Sequence, residues 1–210
     1  MPLGLVAAYG FGEGEGFTVA DASGNGNGGT ITGATWTTAG RFGNALVFNG
    51  MNSWVTVNDA PSLDLTTAMT LEAWVFPTVA PSGWRDLISK ESGSGIAYYL
   101  YASGTGNRPA TGILIGSVER TLFGTSVLPT SAWRHVAATY DGTQQRLYVG
   151  GVQVASRAQT GSIAVTTGPL RLGGNGVWGE YFNGRIDEVR IYNRALTAEQ
   201  IVADMGRPVP

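Results

Sequence analysis

The chain has 210 residues, 43% hydrophobic and only 13% charged, with 32 glycines, six tryptophans and no cysteine. That composition excludes a disordered chain, disulfides, thiol catalysis and thiolate metal sites. A net charge of −2, with thirteen scattered basic residues, gives no electrostatic footing for nucleic acid.

From the N-terminus, Met1-Pro2-Leu3-Gly4 does not read as a signal peptide. No apolar run approaches the roughly 18 residues of a membrane span, so membrane insertion is not expected. Short runs with period-two alternation, broken by glycine, predict strands over 5–9, 45–48, 54–58, 70–76, 86–90 and 96–102. Further strands are predicted over 112–118, 133–140, 145–149, 152–155, 170–172 and 182–192. In 70–76, Leu71, Ala73 and Val75 face one way and Glu72, Trp74 and Phe76 the other, so both faces carry bulk. Gly150-Gly151 reads as a two-residue hairpin loop, because a type I′ turn needs two positive φ angles. Thr197-Ala198-Glu199-Gln200 fits a capping box that opens a short helix, with Ile201 and Met205 on one apolar stripe. Residues 207–210 read as a tail or linker stub after a single domain spanning 1–206. About a dozen strands without intervening helices imply an all-β, two-sheet antiparallel sandwich with one short C-terminal helix.

The segment Gly184-Arg185-Ile186-Asp187-Glu188-Val189-Arg190-Ile191-Tyr192-Asn193-Arg194-Ala195-Leu196-Thr197 resembles the C-terminal signature of bacterial laminin G-like jelly-roll domains. Gly43-Asn44-Ala45-Leu46-Val47-Phe48-Asn49-Gly50, Thr70-Leu71-Glu72-Ala73-Trp74-Val75 and Trp133-Arg134-His135-Val136-Ala137-Ala138-Thr139-Tyr140-Asp141-Gly142 match the same family in the same order. The resemblance implies a concanavalin A-like/laminin G-like jelly roll. Domains of this kind are mostly appended to secreted or surface bacterial proteins. The resemblance therefore implies an extracellular carbohydrate-binding or adhesive module, often carrying a structural calcium.

In the early loop, Asp21, Ser23, Asn25 and Asn27 place side-chain oxygens at alternate positions with glycines between the later ones. Calcium takes six to eight hard oxygens from a loop that can wrap it. No Glu stands at the twelfth position, where Thr32 sits, so the loop is not an EF-hand and needs a second ligand set. Strict alternation puts Asp187 on the face of Val189 and Ile191, where a carboxylate must be paired or bound. The resemblance also ties the early loop to this last strand. Two readings stay open: a calcium held by Asp21, Ser23, Asn25, Asn27 and Asp187, or an Asx-turn at Asp21 with Asp187 accepting backbone N–H groups.

Catalysis is not expected. Alternation sends Asp187 and Glu188 to opposite faces, so they cannot flank one glycosidic bond. His135, the single histidine, alternates with Trp133 and Ala137 and reads as packed structure. Candidate ligand contacts combine loop-borne aromatics with planar polar groups: Trp84, Arg85, Asp86, Tyr99, Tyr101, Arg120, Trp178, Glu180 and Tyr181. Tyr99 and Tyr101 share a face and Tyr98 takes the other, and the competing reading is that these rings plug the ends of the sandwich. The expected function is a non-catalytic recognition module for a polysaccharide or glycan. The alternatives are a spacer that binds other domains of a larger protein, and an unusual hydrolase or lyase with two acids brought together from separate strands.

Overall fold

A computed structural model describes residues 2–209; Met1, and Pro210 at the end of the expected tail, lie outside the described residues. Sixteen strands run in the order β1 (Leu5–Tyr9), β2 (Thr18–Val19), β3 (Gly29–Thr32), β4 (Thr35–Thr37), β5 (Ala45–Asn49), β6 (Trp54–Val57), β7 (Met69–Pro77) and β8 (Arg85–Ser92). They continue as β9 (Gly95–Ser103), β10 (Ala110–Ile115), β11 (Val118–Phe123), β12 (Arg134–Tyr140), β13 (Gln144–Val149), β14 (Val152–Ala158), β15 (Leu170–Leu172) and β16 (Asn183–Tyr192), with helix α1 (Ala198–Met205) last. Every predicted strand is present. The reading missed the short strands β2, β3 and β4, and ran 112–118 through the turn at Gly116-Ser117, which hid β11.

The strands form two antiparallel sheets, as the jelly-roll expectation requires. The first has the order β14-β13-β12-β7-β16-β5-β4, with β1 also pairing with β16; the second has β11-β10-β9-β8-β15-β6-β3-β2. Between them lies one apolar cluster that includes Leu71, Ala73 and Val75 from β7, Tyr98 and Leu100 from β9, and Ile186, Val189 and Ile191 from β16. Period-two burial explains these choices, since each strand gives every second side chain to the gap. The hairpin at Gly150 and Gly151 has φ of 61° and 78° and joins Val149 to Val152, as its sequence predicted.

Glu72 and Trp74 on the other face of β7 are buried as well, because the C-terminal segment covers that side. The capping box at Thr197 and Gln200 starts α1, and Ile201 packs with Leu5, Ala8, Tyr148, Tyr192 and Val209. The Trp74 indole donates to the Met205 carbonyl at 3.1 Å, and Arg190 donates to the Arg207 carbonyl at 2.6 Å. Residues 207–209, expected as a loose tail, are thus docked: Val209 is buried and its N–H is accepted by Glu188.

The last strand corrects the expected facing of its acids. Asp187 pairs with Trp74 and Arg190 with Glu72, so three steps on β16 match two on β7. The extra residue is Glu188, at φ +54°. A bulge of this kind resets the alternation. Ile186 and Val189 therefore face the core, whereas Asp187 shares the opposite face with Trp74.

Candidate ligand-binding cleft

The outer face of the second sheet carries the aromatic candidates. Strand β9 sends Tyr98 and Leu100 inward, which leaves Tyr99 and Tyr101 outward with ring centroids 4.6 Å apart. Tyr99 lies flat over Gly112 of β10, where a Cβ would come within 2.2 Å of the ring. Trp84, at the start of β8, meets Tyr101 edge-on at 5.6 Å and Tyr99 at 6.4 Å. Its ring rests on Gly104, where a Cβ would lie 2.9 Å away, and the Gly83 carbonyl beside it accepts from Ser103 Oγ at 2.5 Å.

Residues 173–182 form a loop that returns over this face. Gly173 has φ +81° and lies against the Phe48 ring, so no side chain can be carried there. The Phe182 N–H closes the loop onto the Gly173 carbonyl at 3.0 Å. Inside it, the buried Asn175 amide donates to Asp86 Oδ2 at 3.1 Å, Tyr101 Oη at 2.9 Å and Glu180 Oε2 at 3.2 Å, while its oxygen accepts the Trp178 N–H at 2.9 Å. One side chain therefore fixes both ends of the turn that presents Trp178 and Glu180.

The outcome is an open cleft of about 280 Å³ lined by Trp84, Tyr99, Tyr101, Glu119, Trp178 and Glu180. Tyr99 Oη donates to Glu119 Oε1 at 2.5 Å, and Tyr101 Oη to Glu180 Oε2 at 2.8 Å. Burial pushes both tyrosine hydroxyls far above their ordinary range, so they stay protonated donors. The tyrosine rings are the buried floor of the cleft, not exposed platforms, and Trp178 is its most exposed aromatic wall.

Five of the nine expected contacts, Trp84, Tyr99, Tyr101, Trp178 and Glu180, meet here, and four do not. Asp86 is wholly buried beneath Asn175; burial first, then the nearby Glu180 and Glu91, push its carboxyl above the ordinary range. Arg85 turns its guanidinium back to the Trp84 carbonyl. Arg120 pairs across the hairpin with the core residue Ile113 and so faces away from the cleft. Tyr181 stacks on Trp54 at 5.6 Å, where the Arg171 guanidinium lies 4.6 Å from the Trp54 ring on its way to Glu91. Glu119 was missed because its strand was missed. The Gly116-Ser117 turn sets it on the Tyr99 face, two residues before Thr121, which pairs with Gly112.

Residues 49–202 match the family model described as the concanavalin A-like lectin/glucanases superfamily, in its laminin G-like branch. The chain belongs to this family. Domain 4 of AbnA, a GH43 extracellular arabinanase from Geobacillus stearothermophilus solved in complex with arabinotriose, superposes with a TM-score of 0.78 at 25% identity, covering 95% of this chain and 97% of that one. The binding domain of Paraclostridial Mosquitocidal Protein 1 superposes with a TM-score of 0.77 at 17% identity, over 95% of this chain and 51% of that chain. Mouse pappalysin-1 is 40% identical over 85 residues, a match that spans 38% of this chain and 5% of that protein.

In this laminin G-like chain the early loop is closed by hydrogen bonds. Asp21 Oδ1 accepts the N–H groups of Ala8 at 3.0 Å and Ser23 at 2.9 Å, and Oδ2 accepts Ser23 Oγ–H at 2.8 Å and the Asn27 N–H at 2.9 Å. A carboxylate has about four lone-pair positions, and four donors fill them. Asn25 and Asn27 direct amide donors to the carbonyls of Leu5 and Val6. Asp187 accepts the N–H groups of Arg41 at 2.7 Å, Phe42 at 3.1 Å and Glu188 at 2.8 Å. The cavity beside Asp21 is reached by Glu13 and Glu188 and not by Asp187; Glu13 accepts the Ala20 N–H, and Glu188 is taken by Arg190 and Val209. Among the described residues no three acid, histidine or cysteine side chains converge. As arranged, these side-chain oxygens are taken up by hydrogen bonds. Their geometry is that of the Asx-turn alternative.

His135 is buried against Trp74, with ring centroids 5.5 Å apart, and its Nε2 lies 3.7 Å from Glu72 Oε2. Burial and the Arg190 charge lower the imidazole to about 3, and burial raises the Glu72 carboxyl. Both groups are driven to their neutral forms, so their proximity is not an ion pair.

Proposed function

We propose that this chain is a non-catalytic, extracellular glycan-binding domain whose ligand lies in the cleft lined by Trp84, Tyr99, Tyr101, Glu119, Trp178 and Glu180. The observation that carries this reading is the cleft's make-up: aromatic walls, hydrogen-bonding acids and a pre-formed loop in one open depression. Sugar rings offer apolar C–H faces to aromatics and hydroxyl donors to carboxylates, the combination that small polar ligands require. The volume sits at the lower end of small-molecule sites, which begin near ~300 Å³, and suits a short stretch of a chain rather than a large ligand. The arabinotriose bound by a domain of the same fold at 25% identity supports the same ligand class. Its parent's extracellular setting supports the location.

Glu119 and Glu180 come from separate elements into one cleft, the arrangement a hydrolase would need. Glu119, however, stands exposed at a strand end and not in the apolar setting that makes a general acid. Both carboxylates are also held by tyrosine hydroxyls. They serve as fixed acceptors.

The test is calorimetric titration of the chain with a panel of oligosaccharides that includes arabino-oligosaccharides, beside Trp178→Ala and an assay for released reducing ends. Binding without cleavage is expected, and removing Trp178 weakens it about tenfold or more, the cost of one stacking aromatic. Binding unchanged in Trp178→Ala would remove the cleft as the site. Cleavage of any member would make the domain an enzyme.

A further inference from the structure

The donors and acceptors in the cleft do not balance, and the imbalance says what the ligand must supply. Both tyrosine hydroxyls are spent on the two glutamates. The Asn175 amide, the nearest side-chain amide, is spent on Asp86, Tyr101 and Glu180. Among the described residues, neither glutamate has a cationic partner within ion-pair distance, and no Lys or Arg lines the cleft. Guanidinium groups around the cleft are engaged elsewhere: Arg171 with Glu91 at 3.2 Å and over Trp54, Arg108 over the Phe123 ring at 6.0 Å, Arg85 at the Trp84 carbonyl and Arg157 at the Thr121 carbonyl. What faces the ligand is therefore two carboxylates set among four aromatic rings. Fixed dipoles do not neutralise them.

A neutral sugar satisfies such a site only in part, because its hydroxyls donate hydrogen bonds without compensating charge. An ammonium group supplies three donors and a positive charge together. Aromatic faces attract the same group through their quadrupoles, more strongly where water is excluded. A cleft lined by charges of one sign also raises the local concentration of the opposite charge. We infer that the cleft selects a glycan bearing free amino groups, with the protonated amine seated between Glu119 and Glu180 against the faces of Trp84 and Trp178. This inference rests on the glycan-binding reading and narrows its ligand class.

The test compares a fully deacetylated glucosamine oligosaccharide with its N-acetylated counterpart of equal length. Both are titrated against the whole chain near pH 6, where a sugar amine is protonated. The amine form is expected to bind about tenfold more tightly at low salt, with the advantage shrinking near ~0.5 M salt as the charges are screened. Glu119→Gln should remove most of that advantage, bringing the ratio of the two affinities toward one whatever happens to each affinity alone. Equal affinity for the two oligosaccharides, or a preference for the N-acetylated form, overturns the amine inference and leaves the glycan reading standing. Binding of arabino-oligosaccharides with neither glucosamine form bound has the same meaning. Tetramethylammonium binding as tightly as the deacetylated sugar overturns the glycan reading and keeps the cation site. No binding by any of these ligands overturns both.

Discussion

Glu188 sits at the extra position of the β16 bulge, where its φ of +54° belongs to the left-handed region that few side chains adopt. Its carboxylate accepts from Arg190 and from the Val209 N–H, so one residue joins the last strand to the C-terminal segment. Burial, and after it the Asp187 charge, outweigh those hydrogen bonds and raise its carboxyl from 4.5 to about 7. A folded-state value above the unfolded one means that the folded chain holds the extra proton. Its stabilisation is complete below about pH 4.5 and is lost as pH rises through about 7. Asp187, raised by burial to about 6, acts with the same sign. His135, lowered to about 3, acts with the opposite sign and costs stability as pH falls. A wild-type profile mixes these with the raised carboxyls of Glu72 and Asp86. The difference between wild type and Glu188→Gln isolates one, since Gln keeps an acceptor for Val209 and drops the titration. The melting-point difference should move in the variant's favour as pH rises from about 4.5 to about 7, and level off above. Melts followed by circular dichroism across this range check it, and a difference that ignores pH would contradict the burial assigned to Glu188.

At the scale of elements, the sequence made the long strands legible and hid the short ones. β7, β9, β12 and β16 alternate over seven to ten residues, so their period survives bulges and stands out. β2 and β4 have two and three residues, too few to show a period at all. The facing of Asp187 was misread for a related reason, since a bulge resets parity without leaving a mark that alternation can detect. Trp84 and Trp178 were readable because loop-borne aromatics near glycine-rich turns are candidates by chemistry alone, and Tyr99 and Tyr101 because alternation puts them on one face of β9. Glu119 was not, because its place follows from the register of β10 against β11, a tertiary fact. Gly112 shows how closely that register is fitted to the site. It leaves the space that the Tyr99 ring occupies, and a Cβ would meet that ring at 2.2 Å. Gly112→Ala should force Tyr99 off Glu119 and Thr121, lower stability by about 1–3 kcal/mol as over-packed sites do, and weaken ligand binding. Denaturant melts and the oligosaccharide titration read the two effects separately. A variant with native stability and native affinity would show that Tyr99 does not form the floor of the cleft.

For the molecule as a whole, the question is what ties its first thirty residues to its last thirty. β1 pairs with the C-terminal half of β16, from Val189 to Tyr192, while β5 pairs with its N-terminal half, from Asn183 to Ile186. The early loop then hangs on β1 through Asp21, Ser23, Asn25 and Asn27, each bonded to the backbone of Leu5, Val6 or Ala8 or to its own turn. The segment 39–44 hangs on β16 through Asp187. Hydrogen bonds to backbone thus clamp both segments to the last strand and its neighbour. A calcium entering this network would have to compete with the four N–H and O–H donors of Asp21, two on each oxygen, and each buried donor left unpaired costs about 1–3 kcal/mol. The melting temperature should therefore be unchanged between millimolar calcium and excess chelator, while Asp21→Ala, which strands those donors, should lower it in both. Because a ligand of the native state raises stability by mass action, roughly 2.7 kcal/mol at a hundredfold excess over Kd, a bound calcium could not hide from this comparison. A rise of several degrees with calcium that disappears in Asp21→Ala would mean that the carboxylate exchanges its donors for the ion, and that the loop is a metal site after all.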